Sequence, residues 1–190
     1  MPAATYAAQV GSQTVELPII ELGSGDSIAL MMTIDRGVNF MQRAGAELAE
    51  ALASLRPDII VTAATLGIPV AIEVTRALGL DDYLVLQKSK KWHLQGSPSV
   101  QLNSVTTESA QSLTLDHRRI GDIAGRRVVF VDDVISSGGS TKAATELLIA
   151  HGAELVGIGT LLTEGTGWRE TLGERAELVV ALGEIPFPVA

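Results

Sequence analysis

Short apolar runs alternate with amphipathic helical segments along most of the chain. Each apolar run is long enough for a buried strand, and each helical segment carries apolar residues at a spacing of three and four. The strand-like runs are 59–63, 83–86, 127–131 and 155–162, and the helical segments are 38–55, 69–78 and 140–151. Buried strands that alternate with helices are typical of a parallel sheet covered on both faces. The pattern therefore predicts an α/β fold with an open, mostly parallel twisted sheet.

Other segments depart from this alternation. Near the N-terminus, the apolar stretches 14–20 and 27–33 are separated by the turn formers at 23–26, which predicts antiparallel strands in a small accessory layer. A last strand is predicted over 176–182. The stretch 96–114 is rich in Ser, Thr and Gln and alternates only weakly, so we expect a mobile hairpin there.

Composition narrows the possible classes of function. With 14 Lys and Arg against 22 Asp and Glu, the formal net charge is −8, and no basic stripe stands out, so we do not expect a nucleic-acid partner. The chain has no cysteine, which excludes internal disulfides and a cysteine nucleophile and fits a reducing compartment. We find no leader peptide and no apolar stretch of about 18 residues. We therefore expect a soluble cytoplasmic protein without membrane contact, folded as one domain over 1–190.

The most informative segment is 128–141, which reads VVFVDDVISSGGST. Four apolar residues predict a buried strand that ends at Asp132 and Asp133, and open α/β sheets bind ligands at that end of their strands. The turn that follows opens a helix, whose free N–H groups, hydroxyls and positive dipole end favour a phosphate. The members of this phosphate cup are Ser136, Ser137, Gly138, Gly139, Ser140 and Thr141.

The acidic pair and the phosphate cup together predict a ligand with two different parts. Carboxylates would repel a bare phosphate, so we expect them to contact sugar hydroxyls or a metal-bound diphosphate, and a phosphorylated sugar satisfies both parts. The alternative is a solvated strand end followed by an ordinary capped turn. Other phosphate motifs do not fit, because Ser140 stands where a Walker A loop needs Lys. The 157–159 Gly-Ile-Gly lacks the third glycine of a dinucleotide fingerprint and is better explained by packing.

Segment 128–141 resembles the motif with which type I phosphoribosyltransferases bind 5-phosphoribosyl 1-diphosphate (PRPP). Segments 34–35, 41–45, 87–90 and 157–159 are also similar to the xanthine and adenine phosphoribosyltransferases and to the effector domain of the purine-operon repressor. The resemblance extends from about residue 34 to residue 186. It implies the fold of that family, with a small hood formed by the N- and C-terminal segments. It also implies a flexible β-hairpin flap at about 87–114.

The resemblance implies a role for the acidic pair and the cup. Asp132 and Asp133 would be the catalytic pair, holding the ribose 2′- and 3′-hydroxyls and contacting Mg²⁺ mainly through water. The phosphate cup would bind the 5′-phosphate of PRPP. No side-chain nucleophile is required, and catalysis by positioning and electrostatics suits a chain without cysteine.

Two further sets of residues correspond to the part of the family site that binds diphosphate. One is the loop formed by Ala64, Thr65, Leu66 and Gly67. The acidic residue common in the family at position 64 and the cation found near position 66 in adenine enzymes are missing. The other set is the basic cluster of Lys88, Lys90 and Lys91, for which the alternative is a solvated loop.

Three residues are predicted to contact the base. In the family that uses xanthine, an Asn stands at the position of Met31 and a Lys at the position of Glu164. Glu164 would repel the xanthine anion and accept hydrogen bonds from an exocyclic amine, which favours adenine or guanine. Trp168 lies in a Gly-rich segment and offers a stacking surface, with Trp92 as a residue of the flap. The alternatives are a solvated Glu164 past a strand and tryptophans that cap an edge of the core.

The implied activity is that of a purine salvage enzyme with PRPP, a purine base and a nucleoside monophosphate as its small-molecule partners. Mg²⁺ would neutralise the departing diphosphate. The resemblance also implies a homodimer. The alternative is a non-catalytic sensor of PRPP or nucleotides, which the altered loop at 64–67 favours. Ahead of Thr14 the sequence shows no DNA-binding extension, so we expect an enzyme rather than a repressor.

Overall fold

The computed structural model describes residues 4–88, 92–102 and 111–189. Its strands are β1 (Thr5–Val10), β2 (Gln13–Glu21), β3 (Ser27–Ala29), β4 (Ile59–Ala63), β5 (Tyr83–Leu86), β6 (Ser99–Leu102), β7 (Gln111–Thr114), β8 (Arg127–Ile135), β9 (Glu154–Glu164), β10 (Val179–Ala181) and β11 (Glu184–Ile185). Its α-helices are α1 (Val38–Leu52), α2 (Gly67–Ala77), α3 (Gly139–Ala150) and α4 (Gly167–Leu172). Short 3-10 helices cover Thr33–Asp35, Ala53–Leu55, Trp92–Leu94, His117–Asp122 and Gly173–Leu178.

The central sheet is parallel, as predicted. Its strand order is β10-β9-β8-β4-β5, and β11 also pairs with β9 in parallel. β4 and β5 have the predicted bounds. The predicted helices are present as α1, α2 and α3, with ends shifted by a few residues. α2 begins at Gly67 rather than at Pro69, because a proline in the first helical turn removes an N–H that has no partner there.

Helices cover both faces of the sheet. α1 and α2 pack on one face with the N-terminal strands, and α3 and α4 pack on the other. Two glycines of β9 lie under α1, where a Cβ on Gly157 would be 2.5 Å from Leu55 Cδ1 and one on Gly159 would be 2.9 Å from Leu52 Cδ1. The packing interpretation of these glycines is therefore confirmed.

A small antiparallel sheet of β1, β2 and β3 forms the accessory layer, which we call the hood. β1 is an additional strand that the sequence does not predict, because half of it reads as small and polar residues. β3 is shorter than predicted, since the chain turns into a 3-10 helix at Thr33–Asp35. The C-terminal segment joins this layer, where the N–H of Val189 donates to the carbonyl of Ser27 at 2.9 Å. Segments from both ends of the chain thus lie together, as the resemblance implies.

The predicted hairpin is present in its two strands, β6 and β7, which pair antiparallel. Residues 103–110 lie outside the described residues, and the mobility of this segment stays a prediction. The strand predicted over 176–182 is confirmed only as the short β10, because Gly173–Leu178 forms a 3-10 helix. Within the described ranges, no helix combines the length and the apolar character needed to cross a membrane.

Candidate functional site

The acidic pair lies within β8 and not after it. β8 continues past Val131 to Ile135, so the predicted end of this strand is wrong. Its pairing with β4 stops at Val131, whereas its pairing with β9 continues as far as Ile135. Asp132 and Asp133 therefore lie where β8 extends beyond its neighbour β4. One edge of the strand is hydrogen-bonded there, and the other is open to a loop or a ligand.

The two carboxyl groups are electrostatically coupled. Asp132 is 9% exposed, and its Oδ1 accepts a hydrogen bond from the N–H of Asp133 at 3.1 Å. Burial raises the pKa of Asp132 well above its usual range, and the charge of Asp133 raises it further. Burial also raises the pKa of Asp133, whereas the charge of Lys88 lowers both values. The arrangement favours a cation or hydroxyl donors at this point, because adjacent buried carboxylates are costly to ionise.

The predicted diphosphate loop, residues 64–67, occupies the space beside the open edge of β8. A Cβ on Gly67 would lie 2.1 Å from Thr62 Oγ1 and 2.7 Å from Asp132 Oδ1. No side chain fits at that position, so the loop backbone lies directly against the carboxyl group. The Ala64–Thr65 peptide bond in this loop is cis. The structure thus brings the predicted loop and the acidic pair together.

A second contact to this loop comes from a residue that the sequence analysis does not include. Thr33 is 1% exposed and begins the 3-10 helix that follows the hood. Its Oγ1 donates a hydrogen bond to the carbonyl of Leu66 at 2.5 Å. Thr33 belongs to no motif, and only the three-dimensional structure places it beside the loop.

The phosphate cup connects β8 to α3, as predicted. Gly138 is the N-cap of α3 and has a φ of +79°, a conformation that favours glycine. A Cβ on Gly138 would also lie 3.2 Å from the backbone of Trp168, so α4 supports the back of the cup. Ser136 and Ser137 are exposed, and Ser140 is partly exposed. These three hydroxyls are accessible to a ligand.

Other predicted phosphate contacts differ in their accessibility. Thr141 is 2% exposed, so its side chain is buried and not open to a ligand in the cup. Lys88 is exposed and near the acidic pair. Lys90 and Lys91 lie outside the described residues.

The environment of Trp168 differs from the expected one. This residue is 3% exposed and belongs to the core between α3, α4 and the sheet. Its Nε1 donates to the carbonyl of Gly165 at 3.1 Å, and the guanidinium of Arg169 stacks 4.3 Å from its ring centroid. The expectation that Trp168 lies outside the core is wrong, because one side of α4 packs against the sheet. The ring has no open face for a base.

The other two predicted base contacts are also buried. Met31 is 2% exposed and packs in the core beneath the hood. Glu164 is 7% exposed and ends β9, so the alternative of a solvated loop residue is wrong. The residue before it, Thr163, is opposite Ile135 in the register of β9 and β8. Glu164 therefore lies beside the start of the phosphate cup.

An exposed aromatic ring lies near Glu164. Phe187 is 47% exposed, and its Cβ would be 3.1 Å from a Cβ on Gly165. By contrast, Trp92 is 87% exposed and belongs to the 3-10 helix before β6. Phe187 therefore offers an exposed ring beside the end of β9, whereas the ring of Trp168 is buried.

The acidic pair offers too few side-chain donors to bind a metal ion without a substrate. Among the described residues there is no group of three or more His, Cys, Asp or Glu side chains that could hold a metal ion alone. Mg²⁺ is usually bound by one or two carboxylates together with substrate phosphates. Asp132 and Asp133, next to a loop of backbone amides, fit a Mg²⁺ ion that binds together with a phosphorylated substrate.

A family model described as the phosphoribosyl transferase domain matches residues 33–177. The chain belongs to this family. The matched segment begins at Thr33 and includes the loop at 64–67, the acidic pair, the cup and Glu164. The hood strands and Phe187 lie outside it.

Curated phosphoribosyltransferases are similar to part of the chain. The hypoxanthine/guanine phosphoribosyltransferase of Methanosarcina barkeri is 31% identical over 127 residues, which are 66% of this chain and 63% of the relative. The protein of the same name from Methanococcus voltae is 36% identical over 110 residues, covering 58% of this chain and 54% of the relative. The chain thus spans between half and two thirds of the length of these two relatives.

A solved phosphoribosyltransferase structure has the same fold. The adenine phosphoribosyltransferase of Saccharomyces cerevisiae, in a complex with an imino-altritol bisphosphate and adenine, superimposes with a TM-score of 0.66. The match covers 87% of this chain and 93% of the yeast chain at 23% sequence identity. This similarity shows the type I fold with its mostly parallel sheet.

Proposed function

We propose that the chain transfers the phosphoribosyl group of PRPP to a purine base, releasing diphosphate and forming a nucleoside monophosphate. The observation that carries this proposal is the position of Gly67, whose Cβ would be 2.7 Å from Asp132 Oδ1. The loop at 64–67 thus lies against the acidic pair, and the phosphate cup begins at Ser136, three residues after Asp133. A ribose with phosphate groups at C5 and C1 matches this order of groups.

Each part of the site has a task in the reaction. The acidic pair accepts hydrogen bonds from the ribose hydroxyls, and the amides and hydroxyls of the cup bind the 5′-phosphate. The bond from C1 to the diphosphate oxygen breaks, and its electron pair leaves with the diphosphate, as a purine ring nitrogen bonds to C1 and releases its proton to water or to the diphosphate. Positive charge develops on the ribose ring during this exchange. The negative charge of Asp132 and Asp133 stabilises that charge. Asp132 and Asp133 would hold a Mg²⁺ ion, which would supply positive charge to neutralise the diphosphate, and Lys88 and the loop amides would bind the diphosphate oxygens.

We further propose guanine as the preferred base. The buried carboxylate of Glu164 is suited to accept hydrogen bonds from the exocyclic amine and ring N–H of guanine, and it repels the xanthine anion. The half-exposed ring of Phe187 offers a flat apolar surface nearby. The names of the archaeal relatives support the same choice. Adenine can donate a hydrogen bond to Glu164 through its exocyclic amine only, so it matches this carboxylate less well than guanine does.

A second candidate function is a sensor that binds PRPP or nucleotides without turnover. Its support is the loop at 64–67, in which Ala64 and Leu66 replace the acidic and cationic residues common in the family. In that case the phosphate cup and the acidic pair would still bind the ribose 5-phosphate portion. Backbone amides alone would hold the diphosphate weakly.

The test is PRPP-dependent release of diphosphate, measured with adenine, guanine, hypoxanthine, xanthine and uracil in parallel. The control enzyme carries both Asp132→Asn and Asp133→Asn. Turnover with guanine that the double substitution removes supports the enzyme. Calorimetric binding of PRPP or GMP without turnover on any base supports the sensor. The absence of binding to both PRPP and GMP contradicts the enzyme and the sensor.

A further inference from the structure

The loop at 64–67 is tied to the rest of the molecule by a side chain from outside the sheet. Thr33 lies between the hood and α1, and its hydroxyl donates to the carbonyl of Leu66 at 2.5 Å. At 1% exposure this hydroxyl has no access to solvent water as an alternative partner. A buried hydroxyl–carbonyl bond fixes both groups, since breaking it leaves a buried acceptor unpaired.

The carbonyl that Thr33 holds belongs to the residue directly before Gly67. Gly67 in turn packs against the carboxyl group of Asp132, with only a van der Waals gap between the loop backbone and the carboxylate. A displacement of Leu66 is therefore a displacement of the loop amides relative to the acidic pair. The bond from Thr33 therefore restrains a loop whose backbone lies against Asp132.

A second buried threonine offers a comparison. Thr75 on α2 is 3% exposed, and its Oγ1 has no hydrogen-bond partner among the described residues. Thr75 is thus a buried threonine whose hydroxyl makes no bond to the loop, which makes it a suitable control for Thr33. Thr33 differs from Thr75 because its hydroxyl has a hydrogen-bond partner in the loop.

We propose that Thr33 is a positioning residue for the diphosphate end of the substrate. This inference rests on the proposed function, in which the loop at 64–67 binds the diphosphate of PRPP. Thr33 touches no substrate itself. It holds the loop amides where both a diphosphate and the carboxylate of Asp132 can be bound, and its loss affects ligands that carry diphosphate. Ligands that carry only a 5′-phosphate use the cup at 136–141 and do not depend on it.

The experiment is calorimetric titration of the wild type, Thr33→Val, Thr33→Ser and Thr75→Val in the presence of Mg²⁺. The probes are PRPP, which carries diphosphate, and GMP, which carries only the 5′-phosphate. Thr33→Val keeps the shape of the side chain and is expected to bind PRPP about tenfold more weakly, with GMP affinity unchanged. Thr33→Ser restores PRPP affinity, and Thr75→Val behaves as the wild type.

Equal loss of affinity for PRPP and GMP in Thr33→Val, or no loss of either, overturns the proposal. If Thr33→Val shows no cooperative melting transition, Thr33→Ala takes its place, because it adds no bulk and carries the same expectation. A wild-type chain that binds GMP but not PRPP contradicts the proposed function, and the inference with it. If the wild type binds PRPP, the effect of Thr33→Val tests the role of Thr33 separately from the proposed function.

Discussion

Asp132 is a residue whose position favours ligand binding at the expense of stability in the ligand-free chain. Its carboxyl group is 9% exposed, next to Asp133, with Lys88 as the nearby cation. The raised pKa means that the folded chain binds a proton more tightly than the unfolded chain. Stability gained from that proton is present at low pH and is lost as the pH rises through the folded-state pKa. At pH values above the ordinary carboxyl pKa, the burial of Asp132 therefore destabilises the fold.

Asp132→Asn is expected to raise the melting temperature of the ligand-free protein at about pH 8 while it reduces turnover. Removing a buried charge of this kind is worth about 1–3 kcal/mol, and each kcal/mol corresponds to about 2–4 °C in a chain of this length. The advantage over the wild type shrinks as the pH falls and disappears near about pH 4, where the carboxyl group is protonated in the unfolded chain as well. Asp81→Asn, at an exposed carboxylate, is the control and shows no such pH-dependent gain. A variant that melts below the wild type at about pH 8 would contradict the argument.

The double variant with Asp132→Asn and Asp133→Asn tests catalysis separately from stability. Loss of the charges that face the developing positive charge on the ribose is expected to lower kcat/KM by roughly two to three powers of ten. Circular dichroism and a cooperative melting transition check that the fold is intact. Near wild-type kcat/KM in this variant would remove the acidic pair from the catalytic site.

Gly67 is a residue that the contact with Asp132 requires. Gly67→Ala forces a Cβ against Thr62 Oγ1 and Asp132 Oδ1, so one of them moves. Overpacking of this kind costs about 1–3 kcal/mol, and PRPP affinity is expected to fall by about tenfold or more. Gly121→Ala serves as the control, because no heavy atom lies within 4 Å of a Cβ there. PRPP affinity that stays unchanged in Gly67→Ala would separate this loop from the site.

At the scale of elements, the start of α3 depends on how α4 packs behind it. Gly138 has a φ of +79°, and its missing Cβ leaves room for the backbone of Trp168. Gly138→Ala is therefore expected to cost about 1–2 kcal/mol of stability through its backbone conformation. It is also expected to weaken binding of both PRPP and GMP, because the cup shifts away from α4.

Gly79→Ala, just after the end of α2, is the matched control for Gly138→Ala at the start of α3. Gly79 has a similar φ of +71°, but no heavy atom lies within 4 Å of its Cβ position. Both variants are expected to lose stability, measured by denaturant unfolding, whereas only Gly138→Ala loses ligand affinity, measured by calorimetry. Equal ligand affinities in the two variants would mean that α4 does not support the cup.

The elements also show how far the sequence determines the site. Buried strands such as β4 and β5 were predicted with their bounds, because continuous apolar runs between turn formers have one interpretation in this alternation. The end of β8 was predicted too early. Asp132 and Asp133 are typical of a strand end, but backbone pairing with β9 continues through them. Trp168 lies in the core since α4 packs against the sheet, a contact that local sequence does not carry. Thr33 has no motif at all, and only folding brings it to Leu66.

At the scale of the whole molecule, the loop at 64–67, the acidic pair and the start of the cup lie at the carboxyl ends of β4 and β8. The family match covers 33–177, which contains the acidic pair, the loop and the cup. The hood strands and the C-terminal segment with Phe187 lie outside it, and Gly165 connects to that segment through its N–H bond to the carbonyl of Ile185 at 2.9 Å. Under the proposed function, the segment that the family model matches binds the phosphoribosyl group. The proposed base contacts lie on both sides of its boundary, with Glu164 inside the matched segment and Phe187 outside it.

Glu164 belongs to the segment that the family model matches, and it pairs with Ile185 of the C-terminal segment. Its substitution tests which base is used. Glu164→Gln keeps the size of the side chain but removes its charge and turns one acceptor into a donor. Since a buried carboxylate repels the xanthine anion and pairs with the amine of guanine, the ratio of kcat/KM for guanine over xanthine is expected to fall about tenfold. Glu184→Gln is the control, because Glu184 is an exposed residue of β11 opposite Thr163. If xanthine is the best acceptor of the wild type, or if Glu164→Gln leaves the ranking of bases unchanged, this carboxylate does not select the base.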